Sequence, residues 1–158
     1  MTGEELARRY VDAFNDRDVD AWVALFAEDA VIHDPFFPEP WKGREAIENV
    51  EQAVLRAFPD MHWRQLRPAI DVGDRVAVEV AVKAVNDGPL KMPNGELPAT
   101  GRVISYEAGV FWLIGPGGLI TEERSYFDAT GSLPSSGSPP DHTLESYQSN
   151  RQTARRYR

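Results

Sequence analysis

Apolar residues recur every three to four positions from Leu6 to Phe58 and every second position after Arg75. Thr2 followed by Glu5 makes a capping box, and Leu6, Tyr10, Ala13 and Phe14 continue at helical spacing, which predicts a helix over about 3–15. Asn15-Asp16-Arg17-Asp18 breaks that helix, with Asp18 as the N-cap of a second one whose stripe is Val19, Trp22, Val23 and Phe26. Ala30-Val31-Ile32-His33 reads as a short strand closed by Asp34-Pro35, because proline cannot continue a ladder. A third helix follows Gly43, carries Ile47, Val50, Val54 and Phe58 on one face, and must stop before Pro59.

Val76, Val78, Val80 and Val82 then alternate with Ala77, Glu79, Ala81 and Lys83, as in a half-buried antiparallel strand. Two more strands are expected over 102–114 and 119–128, joined by Gly115-Pro116-Gly117-Gly118. The stretch from Asn86 to Pro98 reads as a mobile loop long enough to serve as a lid. Asn86, on the valine face, either reaches a pocket mouth or caps that loop. Ser132 to Pro140 is almost all Ser, Pro and Gly, so the expected domain is 1–131, with 132–158 a flexible basic tail. Helices first and strands afterwards make an α+β domain, a curved antiparallel sheet wrapped on three N-terminal helices. Its conical interior would suit an apolar ligand.

Composition narrows the chemistry. The chain has no cysteine, which excludes disulfides, thiolate catalysis and thiolate zinc sites. Its net charge is −8, even though Arg151, Arg155, Arg156 and Arg158 crowd the last stretch. So acidic a body disfavours nucleic acid and anionic membranes and suits a neutral small molecule. Neither a secretory leader nor a membrane-length apolar run is visible, so a cytoplasmic protein is expected. No His/Asp/Glu grouping has metal-ligand spacing; His62 and His142 stand apart, and His33 should face away from Asp34.

Arg9-Tyr10-Val11-Asp12-Ala13-Phe14-Asn15, Val23-Ala24-Leu25-Phe26-Ala27-Glu28-Asp29-Ala30, Asp34-Pro35 and Gly43-Arg44-Glu45-Ala46-Ile47 resemble the N-terminal half of ketosteroid isomerase. Pro98-Ala99-Thr100-Gly101-Arg102, Gly109-Val110-Phe111 and Tyr126-Phe127-Asp128 resemble SnoaL-like polyketide cyclases and limonene-epoxide hydrolases. All belong to the nuclear transport factor 2-like superfamily. The resemblance implies a cone-shaped α+β fold, a homodimer and no cofactor. It implies that Tyr10 donates a hydrogen bond to the substrate oxygen and that Asp34 shuttles the proton. The second acid of the isomerases falls on Val110 here, and the last aspartate of the epoxide hydrolases falls on Ser125.

By its residues alone, Asp34 either caps the turn at Pro35 or faces an apolar cavity that would raise its pKa and make it a better base. Tyr10 is either a core tyrosine or a phenol that stabilises an enolate. Asp128 is a second acid/base candidate, although alternation sets it opposite Ser125 and Phe127, which the resemblance turns inward. Phe36, Phe37, Trp41, Trp112 and Phe127 are candidates for substrate binding, while Trp22 suits the core. Glu107, Glu122, Glu123 and Arg124 read as solvated sheet positions or dimer contacts. The expected activity is proton transfer at carbon beside the carbonyl of a small apolar substrate, ending in isomerisation or a polyketide-type cyclisation. Epoxide opening and non-catalytic ligand binding are the alternatives.

Overall fold

In a computed structural model, residues 1–92 and 95–128 are described. The expected domain end at 131 and the tail 132–158 lie outside the described residues. Helix α1 (Gly3–Asn15) begins with the expected capping box: the Glu5 N–H donates to Thr2 Oγ1 at 3.2 Å, and the Thr2 N–H donates to Glu5 Oε2 at 2.8 Å. Helix α2 (Val19–Val23) is capped by Asp18, which accepts from the Ala21 N–H. It stops earlier than its apolar stripe suggests. Phe26 already opens strand β1 (Phe26–His33), although it is as fully buried as a helical position would make it.

Strand β2 (Trp41–Lys42) pairs antiparallel with β1. Helix α3 (Arg44–Ala57) starts at Gly43, whose φ of +83° favours glycine. Its inward face differs from the expected one. Ile47, Glu51 and Ala57 are buried on α3, whereas Val50 and Val54 are only half-buried. Strands β3 (His62–Gln65) and β4 (Ile70–Asp71) both pair with β5 (Arg75–Val85), and neither was visible in the apolar pattern. The valine stripe of β5 is buried as its period demands.

The segment read as a mobile loop contains a two-stranded hairpin, β6 (Leu90–Met92) with β7 (Gly95–Leu97). Its root is tied to the end of α3, where the Asp87 and Gly88 N–H groups both donate to Ala57 O. Asn86 caps this root: its Nδ2 donates to Gly88 O at 2.9 Å, and its Oδ1 accepts from the Thr100 N–H and hydroxyl. Strands β8 (Val103–Ile114) and β9 (Ile120–Tyr126) complete the sheet in the order β2-β1-β9-β8-β5-β3, with β4 also on β5.

The fold is α+β, as expected, but the sheet is mixed rather than wholly antiparallel. β1 runs parallel to β9, because the helices and the antiparallel strands intervene between them in the chain. The sheet curves without closing around α1. Among the described residues no helix is long and apolar enough to cross a membrane.

Candidate active site

Tyr10 points from α1 into the cone and is 2% exposed. Its ring lies against Trp112 at 4.9 Å, Trp22 at 5.3 Å and Trp63 at 5.7 Å between centroids. Asn15, at the end of the same helix, locks Trp63 in place: its amide donates to Trp63 O and its Oδ1 accepts from the Trp63 N–H, both at 2.8 Å. The Tyr10 hydroxyl donates to Glu123 Oε1 at 3.2 Å, and the Trp112 indole N–H donates to Glu123 Oε2 at 2.9 Å. A carboxyl group from β9 is thus held at the bottom of an aromatic cage.

A cavity of about 40 Å³ opens beside this group, with room for about three water molecules. Tyr10, Trp22, Trp41, Trp63, Tyr106 and Phe127 wall it, and the acidic side chains of Asp34, Glu51 and Glu123 all border it. A far larger groove, about 720 Å³, runs over the outer face of β5 and β8, but it is open and carries an exposed Arg67–Glu79 ion pair at 3.1 Å. The buried polar chemistry is gathered in the small cavity, and we place the site there.

The three acids are perturbed in the same direction. Asp34, just past the end of β1, accepts from the Phe36 N–H at 2.8 Å, so it caps the turn and faces the cavity at once. Burial raises its pKa to about 6, against the lowering effect of that hydrogen bond. Glu123 is pushed up to about 7 by burial, with the Trp112 and Tyr10 hydrogen bonds opposing and the negative potential of Asp34 adding. Glu51 rises to about 8 through burial and the charges of Glu123 and Asp34, with Arg17 opposing. Burial, Glu123 and Glu51 also hold the Tyr10 phenol well above its ordinary range. Burial and the charges of Asp34 and Glu51 likewise raise Tyr106.

Some polar atoms around the cavity have no hydrogen-bond partner among the described residues. They are Oε1 of Glu51 and the indole nitrogens of Trp22, Trp41 and Trp63. Among these residues no set of three or more His, Asp or Glu side chains is placed to hold a metal ion.

The residues marked in the sequence separate into those in the cavity and those outside it. Asp34, Tyr10, Trp41 and Phe127 line it. Phe36 packs on Phe127 at 5.3 Å and Phe37 on Trp41 at 5.0 Å, so both back the wall rather than form it. Trp112 lies behind Tyr10 and orients Glu123. Asp128 does not join them. Strand β9 ends at Tyr126, and with Ser125 buried and Phe127 against the cavity, alternation turns Asp128 outward, where it is exposed.

A model of the SnoaL-like domain matches residues 7–123. The chain belongs to the SnoaL-like family. Several solved structures share the fold of this SnoaL-like chain. One is a candidate polyketide cyclase from Xanthomonas campestris pv. campestris, 27% identical, with 81% of this chain and 91% of that one covered and a TM-score of 0.68. Another is SalBIII, an epoxide hydrolase/cyclase-like enzyme of pyran ring formation in the polyether salinomycin, at 26% identity, 82% and 92% coverage and a TM-score of 0.65. A third is a candidate ketosteroid isomerase from Kribbella flavida, at 22% identity, 90% and 85% coverage and a TM-score of 0.57.

Two acids of this SnoaL-like site escaped the sequence reading. Glu123, read as solvated or as a dimer contact, is 3% exposed, and Glu51 is 5% exposed. Each left a signal. Glu51 lies four residues after Ile47, one helical turn along the buried face. Glu123 shares its strand face with Ser125 and Phe127. That phase is hidden when counting from Ile120, because the β8–β9 register shifts between the Leu113 and Ile114 pairs and leaves Thr121 extra.

Proposed function

We propose that this protein is an enzyme of proton transfer at carbon, acting beside the carbonyl of a small apolar substrate with Asp34 as base. The observation that carries this reading is the Asp34 carboxylate on the wall of an aromatic cavity, oriented by one backbone hydrogen bond and with a pKa of about 6. Such a base is ionised at neutral pH yet more basic than an ordinary aspartate. It takes the proton from carbon; the C–H electron pair becomes the new C=C bond, and the carbonyl pair moves to oxygen. The Tyr10 hydroxyl turns from Glu123 to that oxygen as charge builds there. Returning the proton at a different carbon gives isomerisation; attack of the enolate carbon on a second carbonyl gives ring closure. The chain's own acids supply the proton traffic of both outcomes, with no cofactor group in the sequence of steps.

Deuterium exchange into 2-tetralone in D₂O, followed by proton NMR, tests this; the ketone is larger than the cavity, so its entry requires the aromatic wall of Trp41, Trp63 and Phe127 to move aside. Wild type should accelerate exchange at the carbons flanking the carbonyl. Asp34→Asn should lose ~10²–10⁴-fold of that acceleration. Equal rates for the two proteins would refute Asp34 as base and favour a ligand-binding module.

Epoxide opening is a second reading, favoured by several buried carboxyl groups around one cavity and by the 26% identity with SalBIII. It needs a base on the attacking hydroxyl and an acid on the epoxide oxygen. Turnover of a hydroxy-epoxide, with no exchange of 2-tetralone, would select it. A homodimer remains part of our proposal: Phe111 and Tyr126, exposed and in edge-to-face contact at 5.6 Å on the outer sheet face, fit a second copy of the chain. Light scattering on Phe111→Glu would read its loss.

A further inference from the structure

Asp34 and Tyr10 give the site a base and a phenol but leave the buried carboxyl group of Glu51 unused. Glu51 lines the same cavity as Asp34, is 5% exposed, and has an Oε1 with no hydrogen-bond partner among the described residues. A buried carboxyl group in that position is costly unless something enters to meet it. The indole N–H groups of Trp41 and Trp63, which line the same cavity, are buried without partners as well among those residues. These are donors, and no hydrocarbon ligand could satisfy them. The Val110 position has no acid to offer, since its buried side chain is aliphatic.

We propose that Glu51 is the acid of this site: in its neutral form it donates a hydrogen bond, and then its proton, to the substrate oxygen while Asp34 removes a proton from carbon. The substrate is correspondingly an apolar molecule with more than one acceptor oxygen, the further oxygens meeting the indole N–H groups of Trp41 and Trp63. This rests on the assignment of Asp34 as base. The step balances: the proton lost from carbon rests on Asp34, the carbonyl oxygen gains the Glu51 proton, and the product is the enol. Reversal at another carbon returns both protons to their owners.

The surroundings favour the neutral form. Glu51 faces Tyr10 of α1, Asp34 after β1, Tyr106 of β8 and Glu123 of β9, all neutral or negative, and the cation bearing on it is Arg17. Burial and the two neighbouring carboxylates keep the proton on Glu51 up to about pH 8, while Asp34 has released its own above about pH 6. Base and acid therefore coexist in their working forms between those values, a separation set by environment rather than residue type.

The test is the pH profile of 2-tetralone exchange in the full chain. Wild type should give a bell, rising through about pH 6 and falling through about pH 8. Glu51→Gln should lower the plateau ~10²-fold and lose the alkaline fall, because the amide cannot ionise. A structural role would lower the rate without changing the limb. Retention of both the rate and the alkaline limb in Glu51→Gln, with Asp34→Asn inactive, would overturn Glu51 as acid and leave Asp34 as base standing. Wild-type exchange no faster than Asp34→Asn would overturn both. Carbon-13 NMR of glutamate carboxyls gives a readout independent of turnover. The signal lost in Glu51→Gln should titrate near pH 8, and titration in the ordinary carboxylate range would refute the assignment.

Discussion

Tyr10 and Glu123, 113 residues apart, are joined by a buried hydrogen bond of 3.2 Å that ties α1 to β9. The same bond sets the electrostatics of the cavity. It stabilises the ionised form of Glu123 and so opposes the burial that raises its pKa. Without it, the acid beside Asp34 would hold its proton to higher pH.

Tyr10→Phe should therefore act in two ways. The rate of 2-tetralone exchange should fall ~10²–10³-fold, as expected when a donor to a developing oxyanion is removed. The Glu123 carboxyl should titrate above its wild-type value of about 7, because a hydrogen bond to the ionised form is lost. Stability should drop by about 1–2 kcal/mol. The drop should be larger at pH 8.5 than at pH 6, since raising a folded-state carboxyl pKa extends the range over which stability drains away. Carboxyl NMR and urea unfolding at the two pH values check this. A Glu123 titration unmoved by the substitution would rule the coupling out.

The helices and the long strands were legible in the sequence because local rules govern them, whereas the Tyr10–Asp34 side of the cavity followed only from the resemblance to ketosteroid isomerase. A capping box, a proline stop and a run of alternating valines each act within a few residues. The short strands β2, β3 and β4 were not, because pairing with neighbours far along the chain makes them strands. Glu51 and Glu123 were missed for a related reason. An acidic residue is solvated in most settings, and only tertiary packing removes these two from water: Glu51 on the inward face of α3, Glu123 beneath Tyr10 and Trp112. The hairpin at 90–97 carries loop composition and owes its placement to the Asp87 and Gly88 bonds to Ala57.

Asp34→Asn should separate activity from stability. The amide can still accept from the Phe36 N–H, so the turn survives, while the burial cost of a carboxylate disappears. At pH 8 the variant should be as stable as wild type or more so by about 1–2 kcal/mol, yet inactive in the exchange assay. Thermal unfolding beside the NMR assay measures both. A large loss of stability would mark Asp34 as a structural cap instead.

Gly88 reads out how firmly the hairpin is rooted. A Cβ there would collide with Arg56 O, backbone that cannot step aside. Gly88→Ala should cost about 2–4 kcal/mol and speed amide exchange at Asp87 and Gly88, whose N–H groups bond to Ala57 O. Hydrogen exchange by mass spectrometry would show protection lost at that root. Wild-type protection and stability together would contradict the close approach.

The burial of Glu51 has a thermodynamic consequence whose sign is fixed. Its folded-state pKa of about 8 lies above the ordinary glutamate value of 4.5, so the folded protein holds a proton that the unfolded chain releases. The stabilising contribution of that proton is complete below about pH 4.5 and is lost as the pH rises through 8, where both states are ionised. Glu51→Gln removes this dependence, since the amide carries no ionisation cost at any pH. The variant should gain about 2–4 kcal/mol over wild type at pH 8, and the gap should close toward pH 5. Urea unfolding of both proteins at half-unit intervals between about pH 5 and 8.5 gives the curve directly. A gain that does not change with pH would mean that Glu51 ionises alike in the folded and unfolded chains, against its burial among Asp34, Glu123 and Tyr10. A gain that grows with pH, accompanied by lost exchange activity, would show the site holding its acid to the detriment of the fold.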